Sequence, residues 1–184
     1  GIGNSITLGE DIKDFDSAKQ VLLSLSETVS ERLRNSNQLA QNITVEIKYS
    51  DFSSNSHQMP LFSPTNTTKG IYEASCQLFL ELWNKRPLRL LGIRTGKLLP
   101  EDAPIQMNIF DFTDNINTSK QVSQEKSIST SSTSNQDTKK RLQQLDAAVD
   151  AIRLRYGKNA IVRGSLLNSQ SKKSEKDSSK ETDL

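Results

Sequence analysis

The sequence predicts an α+β fold: a β-α-β-β-α-β four-stranded sheet with two helices on one face, plus a C-terminal tail helix. Two periodicities carry this expectation. Residues 5–8 and 43–50 alternate polar and apolar side chains, the two-residue period of a half-buried strand. Ala18, Val21, Leu22, Leu25, Val29 and Leu33 recur at helical spacing, and so do Ile71, Ala74, Ser75, Leu78 and Leu82. A helix crossover, a hairpin and a second crossover then leave the opposite sheet face open.

The elements follow in order. Ser5-Ile6-Thr7-Leu8 forms the first strand, with Ile6 and Leu8 inward. Asp14 or Asp16 caps the first helix, and Asn35-Ser36-Asn37 ends it. Ile43, Val45, Ile47 and Tyr49 alternate with Thr44, Glu46, Lys48 and Ser50 in the second strand. Ser53-Ser54-Asn55-Ser56 reads as a turn, and Met59 to Phe62 as the end of a third strand. Pro60 and Pro64 confine that strand to an edge, because proline donates no ladder hydrogen bond. Thr67 or Thr68 caps the second helix, which Phe79 and Trp83 widen and Pro87 stops. Leu88 to Thr95 make the fourth strand, with Gly92 inside it. Alternation puts Ser5, Thr7, Thr44, Glu46, Lys48, Leu90, Gly92 and Arg94 on the open face.

Residues 1–103 thus form the folded unit. A short segment, 104–112, follows, and then a Ser/Thr/Asn/Gln linker over 113–137 without apolar period. Leu142, Leu145, Val149, Ile152 and Tyr156 mark a tail helix within 138–167, closed by Gly157, with Ile161, Val162, Leu166 and Leu167 able to dock on it. The Lys/Ser/Asp/Glu composition of 168–184 predicts disorder. The chain opens on Gly1 and not on Met, which reads as a fragment of something longer.

Composition narrows the function. Residues 1–112 hold 11 Lys/Arg against 13 Asp/Glu, a net of −2, while residues 113–184 hold 13 against 9, a net of +4. The folded part is no bulk polycation, so contact with nucleic acid must come from placed residues. A single cysteine, Cys76, excludes an intrachain disulfide and fits a reducing compartment. His57 is the only histidine, so a Cys/His metal site or a Cys/His dyad has no local signature. No run of eighteen apolar residues occurs. Glu10-Asp11 and Glu101-Asp102 are solvated charge, and neither a Walker loop nor a Rossmann fingerprint is present. The sequence therefore offers no catalytic residues, and no metal or cofactor site.

Two features remain. The open face, with its hydroxyls and single charges, suits phosphate contacts that position a duplex without reading bases. It lacks the platform aromatics of an RNA-recognition module. The second feature is Gln106-Met107-Asn108-Ile109-Phe110, behind Pro104 and ahead of the polar linker. As a peptide held out for a partner, it could seat Gln106 in a polar pocket, with Ile109 and Phe110 in an apolar one. As an edge strand, it would pack Ile109 inward.

Gly3-Asn4-Ser5-Ile6-Thr7-Leu8-Gly9-Glu10-Asp11 resembles the opening strand of the little-finger domain of Y-family translesion DNA polymerases. Pro87-Leu88-Arg89-Leu90-Leu91-Gly92-Ile93-Arg94 resembles its last strand. Gln106 to Asp111 is similar to the sliding-clamp-binding motif of that family, with Met107 and Ile109 standing where leucine is commoner. Leu142 to Leu167, with Arg155-Tyr156-Gly157 and Arg163, is similar to the tail of the UmuC/ImpB-like bacterial branch. The resemblance implies a DNA-binding, clamp-tethering C-terminal region of a lesion-bypass polymerase, cytoplasmic in a bacterium. It would grip primer–template duplex through the open sheet and bind the bacterial sliding clamp. Ser5, Thr7 and Arg94, with Asn4 and Lys48, map to strand residues that face DNA in the family. The metal-binding carboxylates, and the magnesium expected of the parent polymerase, would lie before Gly1. The tail helix would be free to bind other repair proteins. The rival reading is a protein–protein adaptor of a repair complex without DNA contact, in which Arg94 is a surface residue paired with Glu46.

Overall fold

The chain runs β1 (Gly3–Ile12), α1 (Phe15–Asn35), β2 (Gln38–Tyr49), β3 (Ser54–Thr65), α2 (Thr68–Leu82), β4 (Leu88–Pro100) and α3 (Thr133–Tyr156). This computed structural model describes residues 1–103 and 133–166. The strands pair in the order β1-β4-β2-β3, each pairing antiparallel. α1 and α2 therefore each connect two parallel strands with one strand between them, and both lie on one face. None of the described helices is long and apolar enough to cross a membrane.

The core forms between the helix layer and the inward residues of the sheet. Leu22, Leu25, Val29 and Leu33 of α1 and Ile71, Leu78 and Phe79 of α2 meet Ile43, Val45, Ile47 and Tyr49 of β2 and Leu91 and Ile93 of β4. Phe15, Phe79 and Trp83 continue it as a stack, with ring centres 5.9 and 5.2 Å apart. Buried serines in the helices return their hydroxyls to the backbone, as Ser26 does to Leu22 O at 2.7 Å. Ser30 and Thr68 share a 2.8 Å hydrogen bond that ties α1 to α2.

Both expected caps form. Asp14 accepts from Ser17 N at 2.7 Å, and Thr67 accepts from Gly70 N at 3.2 Å. The Ser17 amide holds the Asp14 carboxyl below its ordinary range. Burial pushes the Cys76 thiol up, as suits a small packing residue.

Four expectations need correction. Ile6 shares the face of its partner Leu91, yet it is 48% exposed, because β1 is an edge strand and the helix layer stops short of it there. The hairpin turn lies at 50–53, since Asp51 closes it and leaves Ser54 to Ser56 to pair with Lys48 to Glu46. β2 begins at Gln38, where a register shift between Ala40 and Asn42 breaks the alternation and buries both Leu39 and Ala40. The tail helix starts at Thr133, inside the stretch expected as linker. Its docking face is polar, through Lys139, Gln143, Asp146, Asp150 and Arg153, while Leu145 is 53% and Tyr156 67% exposed.

Candidate nucleic-acid interface

Cross-strand register sorts the open face into three rungs. Gly3, Arg94, Thr44 and Gln58 form the first. Ser5, Gly92, Glu46 and Ser56 form the second, and Thr7, Leu90, Lys48 and Ser54 the third. Residues paired across antiparallel strands project to the same side, so the rungs follow from the pairing alone. All eight residues expected on this face lie on it. Side chains there are short except at Arg94, Gln58, Glu46, Leu90 and Lys48, and the surface dips into a groove of about 630 Å³.

The groove has its floor at Gly92. A Cβ there would stand 3.0 Å from the Ser5 Cβ, tighter than most side-chain contacts, so the glycine lets β1 lie against β4 without being displaced. Gly3, Ser5, Ser56, Glu46 and Arg94 stand around that floor. Hydroxyl and amide groups dominate, with one cation at the first rung and one at the third.

Among the described residues, Arg94 pairs with no carboxylate, and neither does Lys48; Glu46, diagonal to Arg94, pairs with no cation. An exposed Arg with its guanidinium uncommitted keeps five donors for an incoming anion. Ser5, one rung from it, and Thr7, two rungs away, are exposed, so the structure places Ser5, Thr7, Lys48 and Arg94 on one face. Asn4 departs from them. Its partner is Ile93, so its side chain falls on the helix side, although the residue lines the groove. Gln106, Met107, Asn108, Ile109 and Phe110 lie outside the described residues.

Sequence reasoning missed the contribution of β3. Ser54, Ser56 and Gln58 border the groove or extend its rungs; Ser54 and Ser56 read as a turn because both faces of this edge segment are polar. Alternation carries no signal where neither face is apolar. The usable signal was Met59 and Leu61, both half-buried, whose period extends backward to His57. No three His, Cys, Asp or Glu side chains converge as a metal site among the described residues.

The chain is similar to known proteins over most of its length. It is 30% identical over 171 residues to DNA polymerase IV of Clostridium acetobutylicum, covering 93% of this chain and 37% of that protein. It is 33% identical over 170 residues to DNA polymerase IV 2 of Bacillus subtilis, covering 90% of this chain and 35% of that protein. The chain thus spans little more than a third of the curated relatives it matches. Among solved structures it aligns with the complex of beta-clamp processivity factor and little finger domain of PolIV, with a TM-score of 0.46 and 20% identity, over 59% of this chain and 96% of that one. The profile of the impB/mucB/samB family C-terminal domain matches residues 1–109, well over half of the chain. By that match, and in keeping with the resemblance of its first and last strands, the chain belongs to the impB/mucB/samB family as its C-terminal domain.

Proposed function

We propose that this chain is the DNA-binding and clamp-tethering C-terminal region of a lesion-bypass DNA polymerase. Its open sheet face holds primer–template duplex by the phosphate backbone, with Arg94 as the principal phosphate contact, Lys48 as the second and Ser5 and Thr7 as hydroxyl donors. The observation that carries this reading is the first rung. An uncommitted arginine stands over a groove floored by glycine, in a domain whose relatives are named DNA polymerase IV. Such contacts position a duplex and read no sequence. The 104–112 segment, with Gln106, Ile109 and Phe110 as anchors, binds a sliding clamp. Polymerisation belongs to the parent chain, and this chain's own residues bind and hold.

Fluorescence anisotropy with duplexes of several sequences tests the DNA half. Arg94→Ala should weaken binding to all of them alike and flatten the log affinity against log salt slope by about 1. Unchanged affinity and slope, with the fold intact by circular dichroism, would return the adaptor reading to first place.

A further inference from the structure

Charged contacts dominate the docking of α3 on the helix layer, with Leu142 and Val149 half-buried beside them. Arg34 of α1 grips Asp150 with two bonds, Nε to Oδ2 at 2.6 Å and Nη2 to Oδ1 at 3.0 Å. Asp146 is 4% exposed. Its Oδ2 accepts the Thr68 N–H, in the first turn of α2, at 2.8 Å and the Arg34 Nη1 at 3.4 Å. Its Oδ1 accepts the Arg163 Nη2 at 3.1 Å. Glu27 of α1 accepts Arg153 at 3.1 Å and Arg163 at 2.6 Å. At the other end, Lys139 donates to Ser63 Oγ at 2.9 Å and to Pro64 O at 3.0 Å. Meanwhile Leu145, Ile152, Leu154 and Tyr156 are exposed. Surface helices normally bury their apolar stripe; this one leaves most of that stripe exposed and buries Asp146, with Asp150 half-buried.

We propose that the α1–α2 face is a receptor for an acidic helix and that α3 is its resident occupant, docked in cis by an ionic latch. The receptor parts are fixed by the domain itself: the Arg34 fork on α1 and the Thr68 amide at the α2 N-terminus. Together they read two carboxylates one helical turn apart, which Asp146 and Asp150 supply at i and i+4. A planar guanidinium that binds one carboxylate through two nitrogens fixes orientation as well as position. A partly buried ionic contact gives little net stability when complete, and removing one partner strands the other. Docking is therefore conditional on the whole set of charges, and an acidic helix of another protein would compete with α3 for the same face.

The test uses the full chain. Hydrogen exchange read by mass spectrometry compares wild type, Asp150→Asn and the Asp146→Asn/Asp150→Asn double variant. Among the described residues Asp150 hydrogen-bonds Arg34, while the Thr68 N–H is held by Asp146, so the Asp150 variant leaves that bond in place. The α3 amides should exchange on the order of tenfold faster in Asp150→Asn, the loss of one charged hydrogen-bonded contact. They should also exchange faster in wild type at about 1 M NaCl, where the screening length is about 3 Å. β2 and β4 amides should not change. A labelled peptide of residues 138–156 should bind the double variant at least about tenfold more tightly than wild type, whose own helix occupies the face. Unchanged α3 exchange in the variants, or equal peptide binding by both chains, would overturn the latch. So would β2 and β4 exchange rising together with α3, the mark of general destabilisation. Protection of α3 that grew with protein concentration would overturn docking in cis and make the occupant a second copy.

Discussion

Asp51 closes the β2–β3 hairpin. Its Oδ1 accepts the Ser53 N–H at 3.0 Å and the Ser53 hydroxyl at 2.5 Å, and Arg86 approaches the other oxygen. The Ser53 hydroxyl, then Arg86 and the Ser53 amide, hold the carboxyl down at about 2 from its ordinary 3.8. A carboxylate depressed on folding stabilises the folded state above its unfolded value. That contribution drains away as pH falls from about 3.8 through about 2. Nuclear magnetic resonance titration of the Asp51 carboxyl should therefore give a midpoint near 2, and Ser53→Ala should move it back toward 3.8. A midpoint unmoved by Ser53→Ala would assign the shift to Arg86 and the backbone N–H of residue 53. This side chain also explains why the turn was misplaced from sequence. Four polar residues in a row at 53–56 look like a loop, but an Asx turn two residues earlier needs only Asp51, and the rest can pair.

The helices were legible in the sequence because their apolar stripes and caps agree, and Thr67 illustrates how firmly. Its hydroxyl serves Gly70 N and shares a buried 2.9 Å bond with Thr65. Thr67→Ala should cost about 1–2 kcal/mol, the usual range for losing a cap, measured by urea denaturation. A loss below about 0.3 kcal/mol would mean that the cap is dispensable, since Gly at the same site would cost that little. The strands were less legible where edges and bulges intervene. β4 reads as a strand through Thr95 but runs on to Pro100, because Leu98 to Pro100 pair with Ala40 to Gln38 in the same register as the residues before them. The open face was predicted correctly because its alternation survives in the central strands. Asn4, a candidate carried by resemblance and not by alternation, pairs with Ile93 and so stands apart from that face. Gly92→Val offers a direct check on the element. The added side chain would start 3.0 Å from the Ser5 Cβ. It should push β1 outward at a cost of about 1–3 kcal/mol and fill the groove, so duplex affinity should fall along with stability. Full duplex binding by a folded Gly92→Val chain would take the groove floor out of the interface.

At the scale of the whole chain, charge is divided: −2 over residues 1–112 and +4 over residues 113–184. An isolated domain of that balance attracts duplex weakly, and under the proposed function a clamp contact supplies local concentration. On primed DNA carrying a loaded sliding clamp, the chain should bind more tightly than on DNA alone, by at least about tenfold and lost in Phe110→Ala. Equal binding of both chains to clamp-loaded DNA would remove Phe110 as the anchor. The tail helix was legible as a helix, but its docking was not. Its apolar stripe enters the contact through half-buried Leu142 and Val149, but a contact built from Arg34, Asp146 and Asp150 leaves no periodic trace in hydropathy. The strand order has a mechanical consequence. Ile2 O accepts the Thr95 N–H at 2.8 Å, and Gly3 pairs with Arg94, so β1 begins beside the stretch through which β4 leaves the sheet. A pull between Gly1 and Pro100 meets this joint at its open end and peels it one hydrogen-bonded pair after another. It does not load the whole ladder in shear. Resistance to tension in that direction is then set by a single rung at a time, however stable the core beneath it.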